Sequence, residues 1–185
     1  ASLETESFAL IRSLIGKDRS VILILDIGAV RTNLMLVEAG MPVVNRSLNV
    51  GGLAITQTLA KQLGVTPAEA EQMKSDAMAA SNGEQTVPKS VADFFVPVIQ
   101  EVKYLSDQYV KDEKNAGKVI EKMVMTGGSA LIPNAAAHLS AALGMKVFVG
   151  DPWARVLTPE PLLPVLAGIG ARFSVAVGLA MRELE

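Results

Sequence analysis

Short unbroken apolar runs alternate along this chain with longer stretches in which apolar residues recur every three or four positions. The first run, residues 21–25 (VILIL), leads into Asp26-Ile27-Gly28, and a second begins at Leu34 after a short turn. Runs of that length bounded by turn residues predict buried strands over 21–27 and about 32–38, paired as a hairpin. Ala39-Gly40 makes a tight turn into a third strand over about 42–50. Gly51-Gly52 then breaks the sheet and opens a helix over 53–63, which Gly64 stops. Thr66, Pro67 and Glu69 supply an N-cap, a first-position proline and a capping box, so another helix is predicted from there to about Ala80. SNGEQT at 81–86 reads as a loop. Val87-Pro88 starts a longer helix to about Tyr109, with Pro97 as a candidate kink. Ahead of the first strand, apolar residues at 3, 8, 10, 11, 14 and 15 predict a lead-in helix that ends at Gly16. After a charged connection at 111–118 come a strand over 120–125, then Thr126-Gly127-Gly128-Ser129, and a helix over 133–143. A short strand at 146–149 and a final helix over 163–184 complete the pattern.

The order is three strands, helices, then strand, helix, strand, helix. A meander followed by right-handed crossovers onto the same sheet predicts an α/β fold, a mixed five-stranded sheet with helices on both faces. That is the layout of a ribonuclease H-like lobe. On this reading residues 1–18 are a lead-in helix and 19–185 the lobe, with 53–110 contributing a small inserted helical subdomain. Residues 162–181 carry one charge, Arg172, and have the length of a spanning helix. Pro164, Gly168, Gly170, Ser174, Gly178 and the central Arg172 favour a buried helix packed on the sheet instead.

Composition narrows the picture. Half of the 185 residues are hydrophobic and 19% are charged, which suits a folded core and not a disordered chain. A net charge of −2 argues against a nucleic-acid surface, and the absence of cysteine removes disulfides and thiolate metal sites. The first sixteen residues are acidic and amphipathic, unlike a secretory signal. His138 stands alone with no second ligand at metal spacing, and Ser129 has no paired base for nucleophilic chemistry. Trp153 reads as a packed corner or an interface anchor.

The candidate chemistry gathers at strand ends. A carboxylate closing a buried strand, as Asp26 does, is costly unless it holds a metal, a water or a donor. Gly28 beside it lets the backbone come close to a ligand. A plain hairpin with Asp26 capping its own turn explains the same residues. Gly127-Gly128 follows the fourth strand, so both turns fall at the carboxyl ends of strands, where open α/β sheets bind ligands. Glycines between strand and helix let N–H groups face a phosphate. Together they predict a phosphate or nucleotide site. Glu71 and Lys74, three apart, share a helix face as part of that site or as an exposed ion pair.

DIGAVRTNLMLVEAG, NVGGLAITQTLAKQLG, TPAEAEQMK, VMTGGSALIPN, GDPWARV and VAVGLAMRELE follow one another here. In content and order they resemble the PilM family, actin-like proteins of type IV pilus assembly, and more distantly the cell-division protein FtsA. The likeness spans nearly the whole chain and implies the second half of a two-lobed actin-like ATPase. It implies ATP with Mg²⁺ as cofactors, Asp26 holding the metal through water, and Gly28, Ala29, Arg31 and Thr32 forming a phosphate loop. Gly127, Gly128 and Ser129 match the adenosine motif; Glu71 and Lys74 match the helix near ribose and base. Val30 and Arg31 stand where threonine hydroxyls are usual in this loop, and Arg31 could pair with phosphate. The resemblance further implies a cytoplasmic protein peripheral to the inner membrane, with a PilN-like partner bound through the family's other half. Self-association through an exposed apolar face is a further expectation, as is the absence of ATPase activity from this half alone. The alternatives are an actin-fold interaction module without turnover and an FtsA-like protein.

Overall fold

The run at 21–25 is apolar on every residue because strand β1 (Val21–Ile27) is covered on both faces. It lies at the centre of a five-stranded sheet of order β3-β2-β1-β4-β5, in a computed structural model that describes residues 3–80, 87 and 89–184. β2 (Thr32–Glu38) and β3 (Met41–Leu48) extend it as an antiparallel meander on one side. β4 (Ile120–Thr126) and β5 (Lys146–Val149) add in parallel on the other. The mixed sheet is thus as predicted. The loop at 81–86 and the helix start at Pro88 fall outside the described residues.

Alternate residues of β1 feed two cores. Leu23, Leu25 and Ile27 face helices α2 (Gly52–Leu63), α4 (Lys89–Lys111) and α5 (Ala135–Leu143), through Ile55, Phe95, Val98, Val102 and Leu139. Ile22 and Ile24 face Leu10, Ile11 and Ile15 of the lead-in segment, with Val175 of α6 (Leu163–Ala180) at the margin. Helix α3 (Pro67–Ala80) begins with the capping box: Thr66 N–H donates to Glu69 at 2.8 Å and Glu69 N–H to the Thr66 hydroxyl at 3.3 Å.

Two expectations need correction. The lead-in helix is α-helical only over α1 (Glu6–Leu10); Ile11–Ile15 winds as a π-helix, and Gly16 N–H closes on the Ile11 carbonyl at 2.9 Å. Arg155 crosses from 140 residues away to cap that wide turn, donating to the carbonyls of Ser13 (2.7 Å) and Ile15 (2.9 Å). Helix α6, expected to be buried, buries only a stripe of mostly small residues, Gly170, Ala171, Ser174, Val177 and Gly178. Val165, Phe173 and Leu179 remain exposed. The stretch 160–183 is long and apolar enough to cross a membrane by length and composition, and 22% of its most apolar 18-residue window is buried in this fold. Trp153 packs as a corner, its indole N–H donating to the Leu166 carbonyl at 2.9 Å.

Ion pairs tie the sheet's far end. Lys122 and the Ser20 N–H and hydroxyl hold Asp18, and Lys118 and Tyr109 hold Glu38, each carboxyl below its ordinary range. A depressed carboxyl stabilises the fold fully above the unfolded value and loses that contribution as pH falls through the folded one. The urea midpoint should therefore begin to fall below about pH 5 and go on falling past about pH 3, because Asp18 keeps its charge well below that. Lys122→Ala should lower the midpoint at neutral pH and flatten part of that fall.

Candidate functional site

The β1–β2 turn is fastened from below. Gly28 N–H donates to the Arg31 carbonyl (3.0 Å), while the Gly28 and Ala29 carbonyls accept from Gly52 and Leu53 N–H, each at 2.9 Å. The leading N–H groups of α2, often free to hold an anion, are spent on this turn. Gly51 is what permits the approach, since a Cβ there would lie 2.6 Å from the Ala29 carbonyl oxygen. Thr32 is buried and gives its hydroxyl to the Val50 carbonyl at 2.7 Å, which pins β2 to the start of α2. Val30 and Arg31 project into solvent.

The end of β4 is held by α6. Thr126 Oγ1 lies 3.0 Å from the Ala171 carbonyl and 2.7 Å from Ser174 Oγ, and Gly127 N–H donates to Ala171 at 2.9 Å. Gly127 sits at φ +87°, and a Cβ on it would lie 2.4 Å from the Ile27 carbonyl oxygen. A single 3-10 turn, Gly128–Leu131, follows. Among the described residues nothing accepts from the N–H groups of Gly128 and Ser129. The Ser129 hydroxyl is likewise unpartnered there, although the residue is 95% buried.

These features border a cavity of about 500 Å³. Gly28, Ala29 and Gly52 line one side, Gly128 and Ser129 another, and Glu71 and Lys74 of α3 a third. A Cβ on Gly52 would meet Ser129 Oγ at 2.4 Å, so the glycine keeps this space open. Lys74 is almost wholly buried, and its ammonium donates to the Gly52 carbonyl (3.1 Å), Thr56 Oγ1 (2.8 Å) and Glu71 Oε2 (2.7 Å). Its three N–H bonds are all used. The pair with Glu71 is therefore half-buried and built into the wall, not an exposed ion pair. Burial pushes the Glu71 carboxyl up, but the hydrogen bonds from Lys74 and Thr56 outweigh it and hold the group below its ordinary range.

Asp26 lies elsewhere. It lines a second cavity of about 260 Å³ with Thr5, Glu6 and Asn33. Burial raises its carboxyl above the usual range, the nearby Glu6 adds to this, and a hydrogen bond from Asn33 opposes it. Gly28 N–H is taken by Arg31, so Asp26 does not cap its own turn through that group. Of the residues singled out from sequence, Arg31, Thr32 and Gly127 line neither cavity.

A protein-family model described as type IV pilus assembly protein PilM matches residues 4–184. The chain belongs to the PilM family. Among solved structures it is similar to a PilM–PilN type IV pilus biogenesis complex, at 25% identity and a TM-score of 0.79, covering 100% of this chain and 53% of that one. It is also similar to MreB5 of Spiroplasma citri bound to ADP, at 16% identity and a TM-score of 0.72, covering 98% and 59%. A third relative in fold is the ethanolamine utilization protein EutJ from Carboxydothermus hydrogenoformans, at 20% identity and 0.63, covering 96% and 54%. The last two show the fold alone, which is actin-like. The chain spans a little over half the length of the solved chains it matches.

Two residues of this PilM-family site were not singled out from the sequence, Arg172 on the cavity wall and Thr56 behind it, bonded to Lys74 and Glu71. Arg172 of α6 lines the cavity and has no hydrogen-bonded partner among the described residues, and its charge also helps to hold the Glu71 carboxyl down. Its signal was present as the one charge in an apolar helix. Thr56 had no signal, because a helix threonine looks the same whether it bonds its own turn or a neighbour.

Proposed function

We propose that this chain is the nucleotide-binding lobe of a type IV pilus assembly protein, with ATP as the ligand. The observation that supports this best is the unspent donor set of Gly128 N–H, Ser129 N–H and the buried Ser129 hydroxyl, facing a roomy cavity beside Arg172. Two backbone donors, a hydroxyl and a guanidinium suit an anionic ligand, and the volume is ample for a nucleoside. Gly28 and Ala29 then shape the turn side of the cavity by close backbone approach, the Gly28 N–H and both carbonyls being already bonded. Glu71 and Lys74 bound the nucleoside. Helices α2 and α3, the first part of the inserted stretch 53–110, serve as its wall.

Mg²⁺ fits this chain in a particular way. Among the described residues no cluster of three metal-ligating side chains exists. Magnesium commonly keeps its waters and takes one or two carboxylates plus phosphate oxygens. Asp26 lines the smaller cavity, but its Oδ1 would lie 2.6 Å from a Cβ on Gly127, so it is the carboxylate beside the Gly128 turn and could supply one such ligand through water. When bound it would neutralise charge on the phosphates. Asp26 would hold it through water, with the hydrogen bond from Asn33 orienting the carboxylate. The PilN-like partner, the cytoplasmic position against the inner membrane and the opposite wall of the cleft all belong, on this reading, to the protein formed with the family's other half. The lobe by itself is then a binder without turnover.

The test is calorimetric titration of magnesium ATP into the chain, and into the chain joined to the complementary half. Binding should be measurable in the joined form, with Arg172→Ala weakening it about 10- to 30-fold through loss of a charged hydrogen bond. No binding by the joined form, or phosphate release by the lone chain that Asp26→Ala abolishes, would overturn the proposal.

A further inference from the structure

Thr56 Oγ1 sits at the meeting point of α2 and α3, 2% exposed, and is engaged on every side. It accepts from Lys74 Nζ at 2.8 Å, lies 3.1 Å from the Gly52 carbonyl of its own helix, and is in very short contact with Glu71 Oε2. A hydroxyl has one proton to give. The carboxylate is the stronger acceptor, so the proton goes to Glu71. Glu71 Oε2 therefore receives two donors, Thr56 and Lys74, while Oε1 has no hydrogen-bonded partner among the described residues and belongs to a side chain that lines the cavity, where the charge of Arg172 also acts on it. One oxygen is fixed and the other is offered. Since Lys74 has spent its N–H groups, it cannot serve the ligand directly. Its charge and the Thr56 hydroxyl act together on Glu71.

We propose that Thr56 is the positioning residue of this cavity: by holding Glu71 Oε2 it presents Oε1 as a fixed acceptor for a sugar hydroxyl, and so sets a preference for ribonucleotides. This rests on the nucleotide reading above. A free carboxylate oxygen accepts only, so what it selects must donate, and a ribose diol presents two donors. A Glu71 left to rotate would lose entropy on binding and would discriminate less. Thr56 does not itself touch the ligand.

Two measurements test it, one of which needs no nucleotide. Carbon-detected NMR titration of the Glu71 carboxyl in Thr56→Val should show its midpoint moving up towards the ordinary glutamate value, because one of its two donors is gone. Thr56→Ser should keep the wild-type midpoint. In the joined protein, magnesium ATP should bind about 10-fold more tightly than its 2′-deoxy analogue. That ratio should fall below about 3-fold in Thr56→Val and survive in Thr56→Ser. If valine prevents folding, Thr56→Ala takes its place. A folded hydroxyl-less variant with the wild-type Glu71 titration, or with the wild-type ribose preference, overturns the proposal while leaving nucleotide binding intact. Wild-type protein that binds neither nucleotide overturns both readings together.

Discussion

Gly178→Ala should destabilise the fold by about 3 kcal/mol or more, a loss of roughly 6–12 °C in thermal midpoint for a chain of this size. A Cβ at 178 would lie 1.9 Å from the Ala9 carbonyl oxygen, 2.5 Å from its carbon and 2.8 Å from its Cα. All three are backbone atoms of α1, so no side chain can turn aside to relieve the clash. The helices must part. Doing so would also break the buried bond from Arg12 Nη1 to the Gly178 carbonyl (2.8 Å), and with it the clamp in which Arg12 grips Glu4 at 2.7 and 2.9 Å. Gly168→Ala is the matched control. It lies on the same helix with nothing within 4 Å of its added methyl, so the alanine should be neutral or stabilising by up to about 1 kcal/mol. Equal responses at 168 and 178 in thermal unfolding would show that the α1–α6 crossing is not the constraint.

That crossing also explains why one part of the chain was hard to read. The pattern of α6 is apolar nearly all round, which periodicity alone assigns to a buried or spanning helix. Its small residues report a different demand, a backbone-to-backbone contact on one side, and say nothing about what covers the other. The sheet was legible for the opposite reason. β1 and β2 are buried on both faces, so their composition is decided by solvent exclusion alone, and the capping box at Thr66 is a local hydrogen-bond pattern that needs no partner. The π-helix at 11–15 was invisible because the side chain that caps it, Arg155, comes from 140 residues further on in one of its two contacts. For the site, the glycine positions were readable because backbone proximity forbids a side chain. Partner choice was not. Whether Lys74 faces a ligand or Thr56, and whether Asp26 faces the same cavity as Gly28, depends on side-chain directions at the ends of strands and helices. Strand alternation settles the second case: Asp26 follows Ile22 and Ile24 to the lead-in side, away from Leu25 and Ile27.

Asp26→Asn should move stability and ligand affinity in opposite directions. Without ligand, burial and the neighbouring Glu6 make the ionised carboxylate unfavourable in the folded state, so its folded pKa lies above the unfolded one. The native state then holds its proton more tightly than the unfolded chain does, and stability declines as pH rises from the unfolded value through the folded one. Above the folded value the full penalty applies. Asparagine removes the charge at nearly constant volume, so the variant should gain about 1 kcal/mol, with a flatter pH dependence above about pH 4. The gain should vanish at low pH, where wild type is protonated. With magnesium and ATP in the joined protein the sign reverses. On the proposed function the charge that is costly in the empty lobe would anchor the metal, and its loss should weaken magnesium-dependent binding by 10-fold or more, about 1.4 kcal/mol or above. A carboxylate that merely braced the hairpin would behave otherwise, with Asp26→Asn lowering the thermal midpoint and leaving nucleotide titrations unchanged. Both quantities can be read from the same preparation, by scanning thermal unfolding across pH with and without magnesium nucleotide. Stability withheld from the empty site and returned on binding is the pattern expected of a functional group.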